Sequence, residues 1–548
     1  MFPADPLSSE RSISLKRNTF VALGLTLFVI SYNLAVMPPI MPLIVRGLDS
    51  SMGYIQGAIV LFSLVTASCS PTCENLCRYY GRERVFLIGI VFYVLGIAAT
   101  AISQNIGILV INFSFLTGLA ATPLVSAPWA IMDFAYDGKA EKRATLALIL
   151  FATFGSITGA ILGGFIASRL GWRWVFVPSL LVLPWIAIQS KKLPVLNLPR
   201  QESIDWIGGL LSLLGLGSIL LGISLSGEYG WWTPKQPFSI LGMVIPPFSV
   251  SIVPTLIAAG AVFLGLFIFW QRQQSKQMGV PLVRVGLLRK RAFVIGVITA
   301  MLHTLVTTGI QFNLYQFLPA TLPLNPFETA IAVLPYNLTM VVAVVCLILF
   351  IRFDDQIPPK YNVYMGLSLL TVGIWLLYRA ITPEISTLSL IPGLVTMGIG
   401  SGFFLAYIGA LTYSAAARHE KPEGTGIYNP IKQLGSSLGR GILGTTLVFF
   451  TSQGIVNRVL AALGKQFSPA EHQQAISKLQ RIIQTYSREE RRAAFRQLPD
   501  SVQPALKDII EMAAIEGMRT SILLGLSLSI VCFLVATLLP KYAHRSRS

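Results

Sequence analysis

The stretch Phe20-Val-Ala-Leu-Gly-Leu-Thr-Leu-Phe-Val-Ile30-Ser-Tyr32-Asn33-Leu-Ala-Val-Met-Pro38-Pro39-Ile-Met-Pro42-Leu-Ile-Val45 runs for 26 residues without Asp, Glu, Lys or Arg. About 20 apolar residues carry a helix across a hydrocarbon core, so this stretch reads as a membrane span. It is too long for the apolar region of a cleavable signal, which predicts that it stays in place behind a polar cytoplasmic segment, residues 1–17. Comparable windows lie near 18–45, 53–72, 84–102, 106–132, 144–168, 172–189 and 205–225, and again near 251–271, 292–318, 328–351, 361–380, 386–414, 424–452 and 519–540. The expectation is an all-α integral membrane protein with fourteen transmembrane helices. An outer-membrane barrel would instead show strands of about 10 residues with alternating polarity, and the sequence lacks that alternation.

The whole chain agrees with its first span. Of 548 residues 53% are hydrophobic and 12% charged, and the mean hydropathy of +0.67 lies outside the range of soluble domains. The net charge of +18 does not point to nucleic acid, because the basic residues are scattered through loops and not gathered on a soluble domain. Their distribution sets an orientation. With both termini cytoplasmic, 25 basic residues fall in inner segments, whereas the short outer loops hold five, Arg46, Arg169, Arg173, Lys235 and Arg379; this is the asymmetry of the positive-inside rule. A long polar segment, 453–518, falls outside in this arrangement. Within it Ser468-Pro469-Ala470-Glu471 reads as an N-cap, a first-turn proline and a capping-box acid, predicting a small outer helix.

The five cysteines give no disulfide framework. Cys69, Cys73 and Cys77 share one helix face, where they read as small packing residues; a metal site would need a nearby histidine or a fourth thiol. No metal and no cofactor is expected. The four histidines are dispersed, no nucleophile stands with a base, and no phosphate-loop spacing occurs, so the residues do not read as an enzyme.

Three groups of residues carry a family resemblance. The turn Cys73-Glu-Asn-Leu-Cys-Arg-Tyr-Tyr-Gly81-Arg82-Glu-Arg84 resembles the Gly-x-Leu-Ala-Asp-Arg-x-Gly-Arg-Arg cytoplasmic turn of major facilitators. The resemblance makes Gly81, Arg82 and Arg84, with Asp133 as their carboxylate partner, a cytoplasmic gate. Gly155, Gly159, Gly163 and Gly164 in the fifth span, followed by Gly171-Trp172-Arg173-Trp174, are similar to the antiporter signature of drug-exporting facilitators; small residues at this spacing let helices press closely together. Finally Asp205-Trp206-x-Gly208, Gly230-Trp231-Trp232, Pro281-Leu282, Leu287-Leu288-Arg289-x-Arg291-x-Phe293 and Gly424-x-Gly426-x-x-Asn429-x-x-Lys432-Gln433-Leu434-Gly435-x3-Gly439 recur in that order. They resemble the fourteen-span drug:proton antiporter family.

That resemblance implies a major facilitator fold: a six-helix bundle over 18–189, an inserted hairpin of spans 7 and 8 with its linker over 190–291, a second six-helix bundle over 292–540, and a cytoplasmic tail, 541–548. It also implies a monomeric, multi-pass protein of a bacterial-type inner (plasma) membrane. Such a protein would export small amphiphilic substrates by alternating access.

The sequence departs from the family where a proton would be handled. Asn33 occupies the position of an acid in span 1, Ser114 that of an arginine in span 4, Arg78 that of an aspartate in the cytoplasmic turn, and Ala160 that of a proline. No Asp or Glu lies in the middle of a span; Asp133, Asp205 and Glu328 lie near helix ends. His303, midway along the ninth span, can titrate near neutral pH and is the candidate proton carrier; the other reading is a neutral histidine bonded to a neighbouring helix. Arg440 needs an acceptor inside the membrane, whether an anionic ligand group, a lipid phosphate or carbonyl oxygens. Tyr32, Asn33, Asn112, Gln311, Asn313, Asn337, Tyr407 and Tyr428 complete the candidate substrate cavity with His303 and Arg440, although each also reads as an interhelical hydrogen bond. The alternatives to a proton-coupled exporter are an uncoupled facilitator, a lipid or anionic-metabolite translocator, and a non-transporting membrane sensor or scaffold.

Overall fold

A computed structural model describes residues 17–50, 52–136, 138–191, 193, 205–230, 232, 238–240, 243–245, 250–276, 285–322, 324–349, 358–414, 421–463, 468–485 and 503–541. The helices are α1 (Arg17–Gly47), α2 (Met52–Tyr80), α3 (Arg82–Ala101), α4 (Ile106–Val110), α5 (Thr117–Ala135), α6 (Gly138–Arg169), α7 (Val177–Ser190), α8 (Trp206–Tyr229) and α9 (Ile252–Lys276). They continue with α10 (Arg291–Thr321), α11 (Pro326–Leu349), α12 (Pro359–Ala380), α13 (Ile391–Thr412), α14 (Lys421–Leu463), α15 (Pro469–Thr485) and α16 (Gln503–Ala536). A π-helical turn, Ile111–Leu116, joins α4 to α5 into one span. Among the described residues 12 helices are long and apolar enough to cross a membrane, or 13 if α2, bent by 51° between Ser70 and Thr72, counts as one span. The remaining long helix is α14, whose apolar run is broken by Lys432, Gln433 and Arg440. A membrane protein built of these helices satisfies nearly all its backbone groups within each segment.

Two hydrophobic cores form. One gathers α1 to α7, with Phe312 of α10, around Leu23, Met37, Phe86, Tyr93 and Phe176. The other gathers α10 to α14 and α16 around Val306, Phe317, Leu370, Met397 and Phe404. Between the two in sequence, α8 and α9 pack on each other, and α8 lies against both α2 and α14. Asp205 ties this hairpin together. Its carboxylate accepts from the Gly208 amide at the start of α8 (2.7 Å), from Trp270 Nε1 (3.0 Å) and from Gln271 Nε2 (2.7 Å) on α9. A Cβ on Gly208 would stand 2.2 Å from the carboxylate, so the Asp205-Trp206-x-Gly208 motif is a clamp with no room for a side chain at its fourth position.

The glycine ladder lies where two helices come into backbone contact. A Cβ on Gly155 or Gly159 would lie 2.2 or 2.4 Å from the Phe28 or Tyr32 carbonyl, and one on Gly163 would collide with Val36, so α6 presses directly on the backbone of α1. The second half repeats the device: Cβ atoms on Gly435 and Gly439 would lie 2.3 and 2.1 Å from the Met301 and Leu305 carbonyls, seating α14 on α10. The two halves meet through equivalent pairs, α2 with α14 and α6 with α11. At the second contact Gly164 faces Pro326 and Phe327, and Phe165 lies edge-on to Phe327 at 6.0 Å.

The segment expected to form an outer loop is more helical than its polarity suggests. α14 runs on to Leu463 and α16 begins at Gln503, well before residue 519, because good helix formers such as Ala461, Leu463, Ala505, Leu506 and Glu511 continue past the apolar windows. Arg458 on α14 pairs with Glu516 on α16 at 3.4 Å. The capping box of α15 is formed: the Ser468 amide donates to the Glu471 carboxylate (2.9 Å) and the Glu471 amide donates to Ser468 Oγ (3.4 Å). α15 lies against both α14 and α2, and His472 Nε2 sits 2.6 Å from Asn457 Oδ1 on α14. A short antiparallel hairpin, Phe238–Ile240 with Met243–Ile245, stands between α8 and α9. Its β-branched Ile240, Val244 and Ile245 favour extended backbone.

Candidate functional site

The second core is interrupted by a buried polar cluster. His303 on α10 is 3% exposed, stacks on Phe404 of α13 with ring centroids 4.1 Å apart, and places Nε2 3.2 Å from Ser401 Oγ. Tyr336 on α11 donates its hydroxyl to the same Ser401 oxygen at 3.0 Å, and Thr307 and Gln311 lie beside that hydroxyl. Three helices thus converge on one serine. The other imidazole nitrogen, Nδ1, is buried without a hydrogen-bond partner. Lys432 on α14 approaches closely enough for its charge to act on the imidazole. Asn337, next to Tyr336, is 8% exposed.

Arg440 crosses from one half of the molecule to the other. Its NH1 donates to Ser63 Oγ at 3.0 Å and toward the Ile59 carbonyl at 3.5 Å, both on α2. Of the acceptors open to this cation, neutral protein oxygens are the ones it meets. Ser436, Ser437, Gly441 and Gly444 flank it on α14, so the guanidinium is the largest group on that stretch of helix.

Several other cavity candidates are placed inside the first bundle as helix ties. Tyr32 donates to the Val175 carbonyl (2.8 Å). Asn33 donates to the Val29 carbonyl (3.0 Å) and Tyr93 Oη (3.2 Å) and accepts from Ser179 (3.0 Å), linking α1, α3 and α7. Asn112 and Ser114 stand on the π-helical turn; Asn112 donates to the Ala99 carbonyl (3.1 Å) on α3 and Ser114 to the Ala58 carbonyl (2.8 Å) on α2. In the second half Asn313 donates to the Leu443 carbonyl (2.9 Å) and Ser521 Oγ (2.7 Å), bolting α10 to α14 and α16. Tyr407 is buried, and Tyr428 packs its ring 6.0 Å from that of Tyr413.

At the other gate candidate, Gly81 adopts φ 94°, the left-handed backbone that favours glycine, between α2 and α3. Arg82 is buried and pairs with Glu74 at 2.5 Å, and Arg78 lies 3.7 Å from the same oxygen, while Arg84 is exposed. The side chain of Asp133, the expected partner, lies outside the described residues. Glu74 was legible in the quoted turn but passed over, eight residues before Arg82. Ser63, Ser401 and Tyr336 come from distant helices, and no local pattern marks them.

The Major Facilitator Superfamily profile matches residues 23–439 of this chain. The chain belongs to the Major Facilitator Superfamily. Relatives of this facilitator include the multidrug resistance protein Stp of Mycobacterium tuberculosis, 24% identical over 443 residues that cover 79% of this chain and 76% of the relative. Another is the multidrug export protein EmrB of Haemophilus influenzae, 20% identical, with 82% and 83% covered. Among solved structures the facilitator resembles the human organic anion transporter MFSD10 at a TM-score of 0.57 and 13% identity, covering 95% of this chain and 98% of that one. It also resembles the proton:xylose symporter XylE at a TM-score of 0.53 and 11% identity, covering 85% and 94%. These two likenesses concern the fold. The all-α facilitator fold that the resemblance implies is therefore the fold of this multi-pass membrane transporter.

Proposed function

We propose that this transporter exports amphiphilic small molecules from the cytoplasm by alternating access, as a monomer in a bacterial-type inner membrane with both termini inside. The observation that carries the reading is the pair of cores, one in each half apart from Phe312 of α10 in the first, joined through α2 with α14 and α6 with α11. Two bodies that each keep their own core can rock against each other without unpacking either. The proposed bodies are residues 18–189 and 292–540, with 190–291 as the inserted hairpin and its linker. His303, Gln311, Asn337, Lys432 and Arg440 supply a few polar contacts in otherwise apolar helices, which suits amphiphiles. The names of the relatives, multidrug resistance and multidrug export, support the outward direction.

Two energetic arrangements follow from different residues. In the coupled one His303 carries the proton. In the uncoupled one the protein is a facilitator, and this is favoured by Asn33 and Ser114, which stand where the resemblance places charged groups and spend their hydrogen bonds inside the first bundle. Dye efflux from vesicles holding the purified protein, with and without an imposed pH gradient, separates them. Coupling predicts flux that follows the gradient and loses that dependence in His303→Gln; flux indifferent to the gradient in the wild type removes coupling. A protein that moves no amphiphile in either condition is not an exporter.

A further inference from the structure

We infer that Arg440 is the contact for an anionic group on the transported amphiphile, and that taking up this anion at NH1 loosens the contact between α14 and α2. The inference rests on the export reading and narrows its substrate class. A guanidinium offers five N–H donors in a planar fork. Among the described residues Arg440 meets the Ser63 hydroxyl and, at 3.5 Å, the Ile59 carbonyl, both neutral and both reached from NH1. The ion pairs among the described residues lie elsewhere: Glu74 holds Arg78 and Arg82, and Glu516 holds Arg458. The neighbouring charge is of the same sign, Lys432, two turns away on α14 beside His303.

A carboxylate, phosphate or sulfonate would bind this fork through paired charge-assisted hydrogen bonds, roughly twice as strong as neutral ones. An incoming anion therefore finds Nε and NH2 open, and where it also takes NH1 it replaces weaker neutral acceptors. Those acceptors belong to the opposite half of the molecule, so an exchange at NH1 removes the Arg440 tie to α2 and leaves the apolar packing of Leu434 on Leu64 and Val65 to hold the contact. Binding and loosening of the interface become one event at one side chain, because a ligand moves an equilibrium only through its differential affinity for the two states. A cationic amphiphile gains nothing at this site and meets the guanidinium charge.

The test uses two probes with the same apolar body, 1-pyrenebutyrate and (1-pyrenebutyl)trimethylammonium, and the full chain in phosphatidylcholine vesicles. The wild type should move the anion in preference. Arg440→Gln should lower the anion-to-cation flux ratio by about tenfold or more, the loss of one charge-assisted pair. Arg440→Lys, which keeps the charge but not the fork, should fall between them and carries the test if the glutamine variant does not fold. Ser63→Ala, which removes a competing acceptor, should lower the KM for the anion while leaving that for the cation in place. Preference of the wild type for the cation, or equal loss of both fluxes in both Arg440 variants, overturns the inference and leaves export standing. Absence of any flux in the wild type overturns export and the inference with it. Adding phosphatidylglycerol distinguishes the source of the anion: if it suppresses the wild-type anion flux to the Arg440→Gln level, the guanidinium holds lipid phosphate and the substrate assignment fails.

Discussion

Arg440 on α14 donates to the hydroxyl of Ser63 on α2 at 3.0 Å, a hydrogen bond between residues 377 positions apart that belong to opposite halves of the transporter. Interhelical hydrogen bonds within membranes contribute about 0.6 kcal/mol on average and up to about 2. A double-mutant cycle of Ser63→Ala and Arg440→Gln, read as thermal stability in detergent, should therefore give a coupling of ~0.5–1.5 kcal/mol. Strict additivity of the two changes would mean that the pair does not exist in the populated state.

The Glu74–Arg82 pair makes a different prediction, because here both charges are buried. Removing one partner of such a pair typically costs about 3–5 kcal/mol by leaving the other uncompensated, whereas replacing both can be close to neutral. Glu74→Ala should destabilise severely, and Glu74→Ala with Arg82→Met should recover most of the loss. The yield and melting temperature of the purified variants check this order; a double variant as unstable as the single one would show that Arg82 has a further essential partner.

Glycines with and without neighbours should respond oppositely to the same methyl group. A Cβ at Gly439 would stand 2.1 Å from the Leu305 carbonyl, so Gly439→Ala must push α14 away from α10 and should cost about 2 kcal/mol or more. At Gly409 nothing lies within 4 Å, and Gly409→Ala should gain up to about 1 kcal/mol from helix propensity alone. Melting temperatures moving in opposite directions are the expected result.

The start of α15 should be sensitive to acid. Hydrogen bonds from the Ser468 side chain and then its backbone amide hold the Glu471 carboxyl below its ordinary range. A group whose folded pKa is depressed contributes stability above its unfolded value and loses it as pH falls through the folded one. Amides near 468–472 should exchange slowly at neutral pH and faster as the medium becomes acidic. In Glu471→Gln the exchange should no longer follow pH in that range beyond its intrinsic chemical dependence.

The spans, the glycine ladders and the capping box could be read locally, because each depends on residues within a few turns of one another. Gly155 and Gly159 announce close packing by their spacing, although not that α1 supplies the backbone they touch. What the sequence concealed are acceptors contributed by other helices. Asn33 reads as a cavity candidate standing where the family has an acid, and nothing near it in sequence announces its bonds to Tyr93 and Ser179, 60 and 146 residues away. His303 was visible as a titratable residue, but Ser401 and Tyr336, which define its surroundings, carry no signal of their own. The reach of α14 beyond its apolar window was hidden for another reason: hydropathy marks where lipid ends, and a helix of good formers does not stop there.

α15 hangs from the connection between α14 and α16 yet touches α2 as well. A fluorophore at its exposed Gln474 would travel with one half of the molecule while viewing the other. α15 is thus a natural place to attach a reporter, whose brightness would test the rocking of the two halves proposed above.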